Sequence, residues 1–142
     1  RVLFRSLCVA AGLPVPDLLV QARSVTASVN AEVTELLGRP NRPSALIVQG
    51  THMLNSALRA ISARGLQVPR DISVVAVGDT PFAAEHDPAV SVLDIDQAET
   101  ARWLVDLLLT RIAENGLPRR KARIGLRYVE RDSVAPPAPA SC

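Results

Sequence analysis

Aromatic side chains are scarce in this chain: Phe4, Phe82, Trp103 and Tyr128 are all it has, 3% of 142 residues. That scarcity argues against stacking platforms for single-stranded nucleic acid, and it leaves a core of Val, Leu, Ile and Ala. Cysteine is equally sparse. Cys8 and Cys142 lie at opposite ends with no CxxC spacing, so neither a disulfide framework nor a zinc site is indicated. No apolar run reaches the ~18 residues of a membrane span. A basic, apolar, small-residue leader is not visible at the start, which gives a cytoplasmic expectation. The net charge of +2 implies no large electrostatic partner, and Lys121 is the single lysine beside fifteen arginines. Catalytic signatures are missing as well. There is no G-x-S-x-G elbow, no G-x-x-x-x-G-K-[ST] and no G-x-G-x-x-G, and His52 and His86 are the only histidines.

What is present is a globular pattern, 48% apolar and 21% charged, of a length that suits about one domain. Residues 2–11 read as a helix closed by Gly12, and Leu18–Val20 as a short strand. Residues 27–37 read as a helix with Val29, Val33, Leu36 and Leu37 on one face. A strand-helix-strand unit follows. Ala45–Val48 is a continuous apolar strand, Thr51 can cap a helix over 52–64, and Ile72–Val77 is a second apolar strand. Such a crossover implies a parallel sheet. Residues 78–90 read as a loop with two turn signals, and Ser91–Leu93 as a short strand. Asp96 and Glu99 resemble a capping box for a helix over 97–115, whose Ala101, Leu104, Val105, Leu108 and Ile112 share a face. Residues 124–129 close the pattern as a strand, and APPAPAS reads as a flexible tail.

Few residues carry chemistry. His52 falls in the first turn of a helix, where the macrodipole favours a neutral imidazole at the surface. His86–Asp87 reads as a turn before Pro88 rather than a metal ligand pair, since no further ligand lies at helical spacing. Arg119, Arg120, Lys121, Arg123, Arg127 and Arg131 span a loop and a strand, so they alternate between faces and read as solvated. The ends of parallel strands are more informative, because open α/β sheets bind ligands there. Two such ends are Gln49–Thr51 and Gly78–Thr80. Asp79 can accept hydrogen bonds from a ligand or satisfy its own loop as an Asx-turn.

Longer stretches carry a resemblance. Pro43–Val48, then MLNSALRAISARGLQVPRDISVVAVGDTPFA (53–83), DPAVSVLDIDQ, ARWLVDLLLTRI and YVERDSVAPP resemble the C-terminal part of LacI/GalR-type bacterial transcriptional regulators. Phe4 with AAGL (Ala10–Leu13) fits the family's helix ending in AGL. The segment 65–75 is the most specific. The resemblance implies an α/β fold: a three-layer parallel sheet with helices on both faces, like periplasmic sugar-binding proteins and present as a partial domain. It assigns 1–92 to the C-terminal subdomain without its first strand. It makes 93–123 a hinge crossing, around Asp94, and a helix of the N-terminal subdomain. It returns 124–135 to the C-terminal subdomain and leaves 136–142 as a tail.

By the same resemblance the partners are a small-molecule effector, a second copy in a homodimer, and operator DNA through an N-terminal domain preceding this chain. No membrane partner, metal, cofactor or enzymatic activity is expected. The family's effector-contacting positions fall on Ser24 (an aromatic), Gly50 (Asn), Thr51 (Asp), Gly78 (the first Asp of a pair) and Ile95 (the hinge Gln). Only the second Asp of the pair is kept, as Asp79. Loss of these polar anchors predicts an effector other than a typical sugar, or none. A periplasmic-type solute binder and an α/β enzyme are the competing readings. The stripe on the helix 97–115 is expected to pair with another copy or stay mobile when its host subdomain is absent.

Overall fold

Alternating apolar strands and amphipathic helices from residue 27 onward build a four-stranded sheet flanked by helices. The computed structural model describes residues 9–12, 27–114 and 121–136. Its elements are α1 (Ala27–Leu37), β1 (Ala45–Gln49), α2 (Thr51–Ala63), β2 (Ser73–Val77), α3 (Pro81–Glu85), β3 (Ser91–Ile95), α4 (Gln97–Ala113) and β4 (Leu126–Val129). The sheet order is β1-β2-β3-β4. β1 pairs parallel with β2 from Ala45↔Ser73 to Gln49↔Val77, and β2 pairs parallel with β3 from Val75↔Ser91 to Val77↔Leu93. The strand at 18–20 and most of the helix at 2–11 lie outside the described residues. Val9 and Ala10 are helical, and Gly12 follows at φ +69°.

The wholly parallel sheet expected from the pattern is corrected at its edge: β4 runs antiparallel to β3, from Val92↔Val129 to Ile95↔Leu126. A parallel return needs a helix that packs back across the sheet. α4 buries none of its residues, so it makes no such crossover and the chain re-enters from the opposite end.

One face of the sheet is sealed. The spacing of α2 turns Leu54, Ala57, Leu58 and Ile61 inward, where they join Val33 and Leu37 of α1 and Val74, Ala76 and Val92 of the strands. Leu46, Val48 and Val129 pack against this cluster. Each large side chain removed from water here contributes about 1.5–3 kcal/mol. α2 also finishes α1, because Arg64 Nη2 donates to the Thr34 carbonyl in its last turn at 2.6 Å. The opposite face is only partly covered, with Val75, Val77 and Leu93 half-buried. β1 alternates rather than being covered on both sides as its continuous apolar run suggested, and Ile47 is 60% exposed. β1 is an edge strand with only β2 to pair with among the described strands.

Two small hydroxyls fasten the segment that follows β4. Beyond β4, Ser133 Oγ donates to the Val74 carbonyl and accepts from the Ser91 amide at 2.8 Å, while the Val74 amide donates to the Ser133 carbonyl at 2.9 Å. Ser73 Oγ donates to the Ala135 carbonyl and accepts the Ala135 amide. Residues 133–135 thus pair with β2 below the level where β3 begins. Ser133 is fully buried, so Ser133→Ala strands the Ser91 amide. The expected loss is about 1–3 kcal/mol of unfolding free energy, read by urea denaturation of the full-length protein.

Candidate functional site

Parallel pairing of β1, β2 and β3 brings the residues that follow them to one edge. Gly50 and Thr51 leave β1, Gly78, Asp79 and Thr80 leave β2, and Ile95 ends β3. Of the six candidate positions Gly50, Thr51, Gly78, Asp79 and Ile95 share that edge, and Ser24 lies outside the described residues. Thr51 is not the cap expected from its position. It is the first helical residue of α2, and the N-cap is Gly50, with no side-chain hydrogen bond. Gly50 takes φ 93° and ψ 141°, and Gly78 takes φ +91°. A Cβ at either would meet nothing within 4 Å, so backbone conformation rather than crowding selects glycine at both. The connection after β2 contains α3, a short helix absent from the sequence reading. Its signal was Thr80-Pro81: Thr80 Oγ1 accepts from the Ala83 amide at 3.2 Å, and Pro81 occupies the first turn.

Asp79 faces a partner that the sequence reading placed among solvated basic residues. Arg131 Nη2 donates to Asp79 Oδ2 at 2.7 Å, and Arg131 Nη1 donates to the Val90 carbonyl at 2.9 Å. The Arg131 side chain is only 17% exposed and that of Asp79 33%, which corrects the solvated reading for this arginine. The Arg131 hydrogen bond, outweighing desolvation, holds the Asp79 carboxyl below the ordinary carboxylate range, and the same contact raises the Arg131 guanidinium. The Thr80 amide also favours the charged carboxylate, yet Asp79 Oδ1 is buried without a hydrogen bond of full geometry. No periodicity marks Arg131. Only its place in YVERDSVAPP sets it apart from the other basic residues.

A second pair lies across the sheet edge. Asp94 and Arg127 are register partners on β3 and β4, with Nη2 to Oδ2 at 3.0 Å. Arg127 is 77% exposed, so this pair is worth at most about 1 kcal/mol. Ile95 sits opposite Leu126 and offers no hydrogen-bonding side chain where a hinge Gln was the family's residue. His86 is taken up locally, its Nδ1 3.0 Å from the Pro88 carbonyl and its ring tilted against Phe82. Among the described residues no three His, Cys, Asp or Glu side chains are grouped to hold a metal ion, and no helix is long and apolar enough to cross a membrane. A broad open depression of about 830 Å³ lies between α1 and α2, lined by residues such as Asn30, Thr34, Ser56 and Arg59, away from the strand ends.

The fold that carries this edge has relatives. The family model described as a periplasmic binding protein-like domain matches residues 1–134. The chain belongs to that family. A curated relative, the HTH-type transcriptional repressor PurR of Edwardsiella ictaluri, is 29% identical over 86% of this chain and 36% of its own length. The chain therefore spans about a third of the length of that relative. A LacI family transcriptional regulator from Bifidobacterium animalis subsp. lactis superposes with a TM-score of 0.80 at 24% identity, over 95% of this chain and 49% of that one. The transcriptional regulator CelR in its cellobiose complex reaches 0.77 at 27% identity, over 92% and 40%. Within its family the chain is similar to part of LacI-type transcriptional regulators, as its sequence resemblance implied.

Two predictions follow from the glycine turns and the ion pair. Gly50→Asn, which restores the residue of the LacI/GalR pattern, places a side chain at a φ and ψ suited to glycine and lowers stability by about 1–3 kcal/mol in urea denaturation. Asp79→Asn lowers it by about 1–2 kcal/mol near pH 7, an amount discounted for partial solvent access. Because the folded pKa of Asp79 lies below its unfolded value, its contribution is complete above the unfolded value of ~3.9 and is lost as pH falls through the folded one. The difference between wild type and variant is therefore full at neutral pH and closes in strong acid, measured by denaturation across pH.

Proposed function

We propose that the chain is the C-terminal part of the effector-binding unit of a LacI/GalR-type transcriptional regulator, taking a small-molecule ligand at the edge formed by Gly50, Thr51, Gly78, Asp79 and Ile95. Residues 1–92 belong to its C-terminal subdomain, 93–123 form a hinge crossing and a helix of the N-terminal subdomain, and 124–135 return. The tail expected at 136–142 lies, beyond residue 136, outside the described residues. The regulator acts by closure of the two subdomains over the ligand, which changes operator affinity in a cytoplasmic homodimer. DNA is read by a domain outside this chain, and the protein is not an enzyme. The apolar stripe of α4 supports the two-subdomain reading: Leu104, Val105, Leu108, Leu109 and Ile112 are each at least half exposed, and such a face requires cover from further chain.

The ligand is not a typical sugar, in contrast to the cellobiose bound by CelR. The observation that carries this is the state of Asp79. It is the one family carboxylate kept here, and Arg131 already engages it, while its neighbours Gly50 and Gly78 present no side chain. A sugar site pairs each ligand hydroxyl with a protein acceptor or donor, and Gly50, Gly78 and Ile95 offer no side-chain partner of that kind. A thermal-shift screen of the full-length protein against cellobiose, other sugars and nucleobases tests it. Sugars are expected to leave Tm unchanged, whereas a ligand present at 100 times its Kd stabilises by about 2.7 kcal/mol and moves Tm by several degrees. A sugar that raises Tm overturns the proposal.

A further inference from the structure

We infer that Arg131 is a positioning residue of the strand-end site, clamping both ends of the connection between β2 and β3 and tying that connection to the chain that returns from α4. The inference rests on the effector-binding reading for its functional meaning, and on geometry for its substance. The connection Gly78–Val90 leaves the top of β2, runs through α3 and comes back to the start of β3. Arg131 touches its two ends at once, with Nη2 on Asp79 and Nη1 on the Val90 carbonyl. The backbone of Arg131 is fixed in turn, because its amide donates to Ser91 Oγ at 2.9 Å and its carbonyl accepts from the same hydroxyl at 3.2 Å. The next residue adds a bond, Asp132 amide to Ala89 carbonyl at 3.0 Å.

Upstream, β4 carries Arg127, paired with Asp94, and ends two residues before Arg131. A displacement of β4 is thereby passed to Arg131, and from Arg131 to the turn that holds Gly78 and Asp79. A guanidinium suits this task because its planar fork fixes two acceptors at a set angle, whereas an ammonium acts as a single point of charge. Internal ties of the connection, such as the Val90 amide to the Ala83 carbonyl at 2.8 Å, keep it a unit that moves as one when the clamp opens.

Amide hydrogen exchange on the ligand-free full-length protein tests the clamp, comparing wild type with Arg131→Met, Arg131→Lys, Asp79→Asn and the Asp79→Asn/Arg131→Met double variant. Arg131→Met and Asp79→Asn are expected to speed exchange over 78–90 by about tenfold, as loss of a charge-assisted hydrogen bond does in a locally opening segment, while α2 and β1 stay unchanged. Arg131→Lys recovers part of the protection, and the double variant exceeds neither single one by more than about twofold, since both remove the same contact. Unchanged exchange over 78–90, a rise spread equally over all segments, or full additivity overturns the inference. If Arg131→Met fails to fold, Asp79→Asn decides alone, because it keeps the side chain's size and removes only its charge. No ligand is present, so a failed clamp and a failed effector reading give different results.

Discussion

Parallel pairing of β1, β2 and β3 is the constraint from which the rest of the molecule follows. Strands that point the same way must each be left at one edge and re-entered at the other. The exits of β1 and β2 therefore collect at a single edge, where glycine turns and the start of α2 face outward. The returns must cross the length of the sheet. α2 makes one of these returns and seals a face with Leu54, Ala57, Leu58 and Ile61. The connection through α3 makes the other, and Arg131 holds it at both ends. Core and site are thus two results of the same topology.

The parts of this arrangement that depend on local periodicity were legible. Residues 27–37 form a helix with the boundaries that their spacing suggests, and the helix, strand and cap around 52–77 and 96–99 differ from expectation by only one or two residues. What was not legible depends on partners distant in sequence. The direction of β4 is set by α4 failing to pack on the sheet, which no property of residues 124–129 encodes. The half-exposed character of β1 follows from its edge position, although its apolar run is what a strand covered on both faces carries. Arg131 was indistinguishable by composition from Arg127, yet one is nearly buried and the other open to solvent. α3 was missed although Thr80-Pro81 announced it, because two turn signals around it drew the reading to a loop.

The candidate site was legible to the extent that glycine is. Gly50 and Gly78 stood out as departures from the LacI/GalR pattern, and their backbone angles explain why the departure concerns more than lost side chains. At Gly50 the turn itself has a shape that Asn enters only with strain. Asp79, open from sequence to ligand contact or loop structure, has a third partner that no local pattern announced. Its carboxylate is engaged by an arginine 52 residues further along the chain.

The hydroxyl fastening at residues 133–135 also sets an order of events during synthesis. The Val74 amide has the Ser133 carbonyl as its partner, 59 residues later, and Ser73 is joined to Ala135 across 62. A nascent chain can assemble α1, β1 and α2 as soon as they emerge. It cannot complete the lower half of β2 until the segment after β4 has left the ribosome. Until then the lower half of β2 presents open amides and carbonyls on the side away from β1, and the sheet is closed only by residues far downstream in sequence.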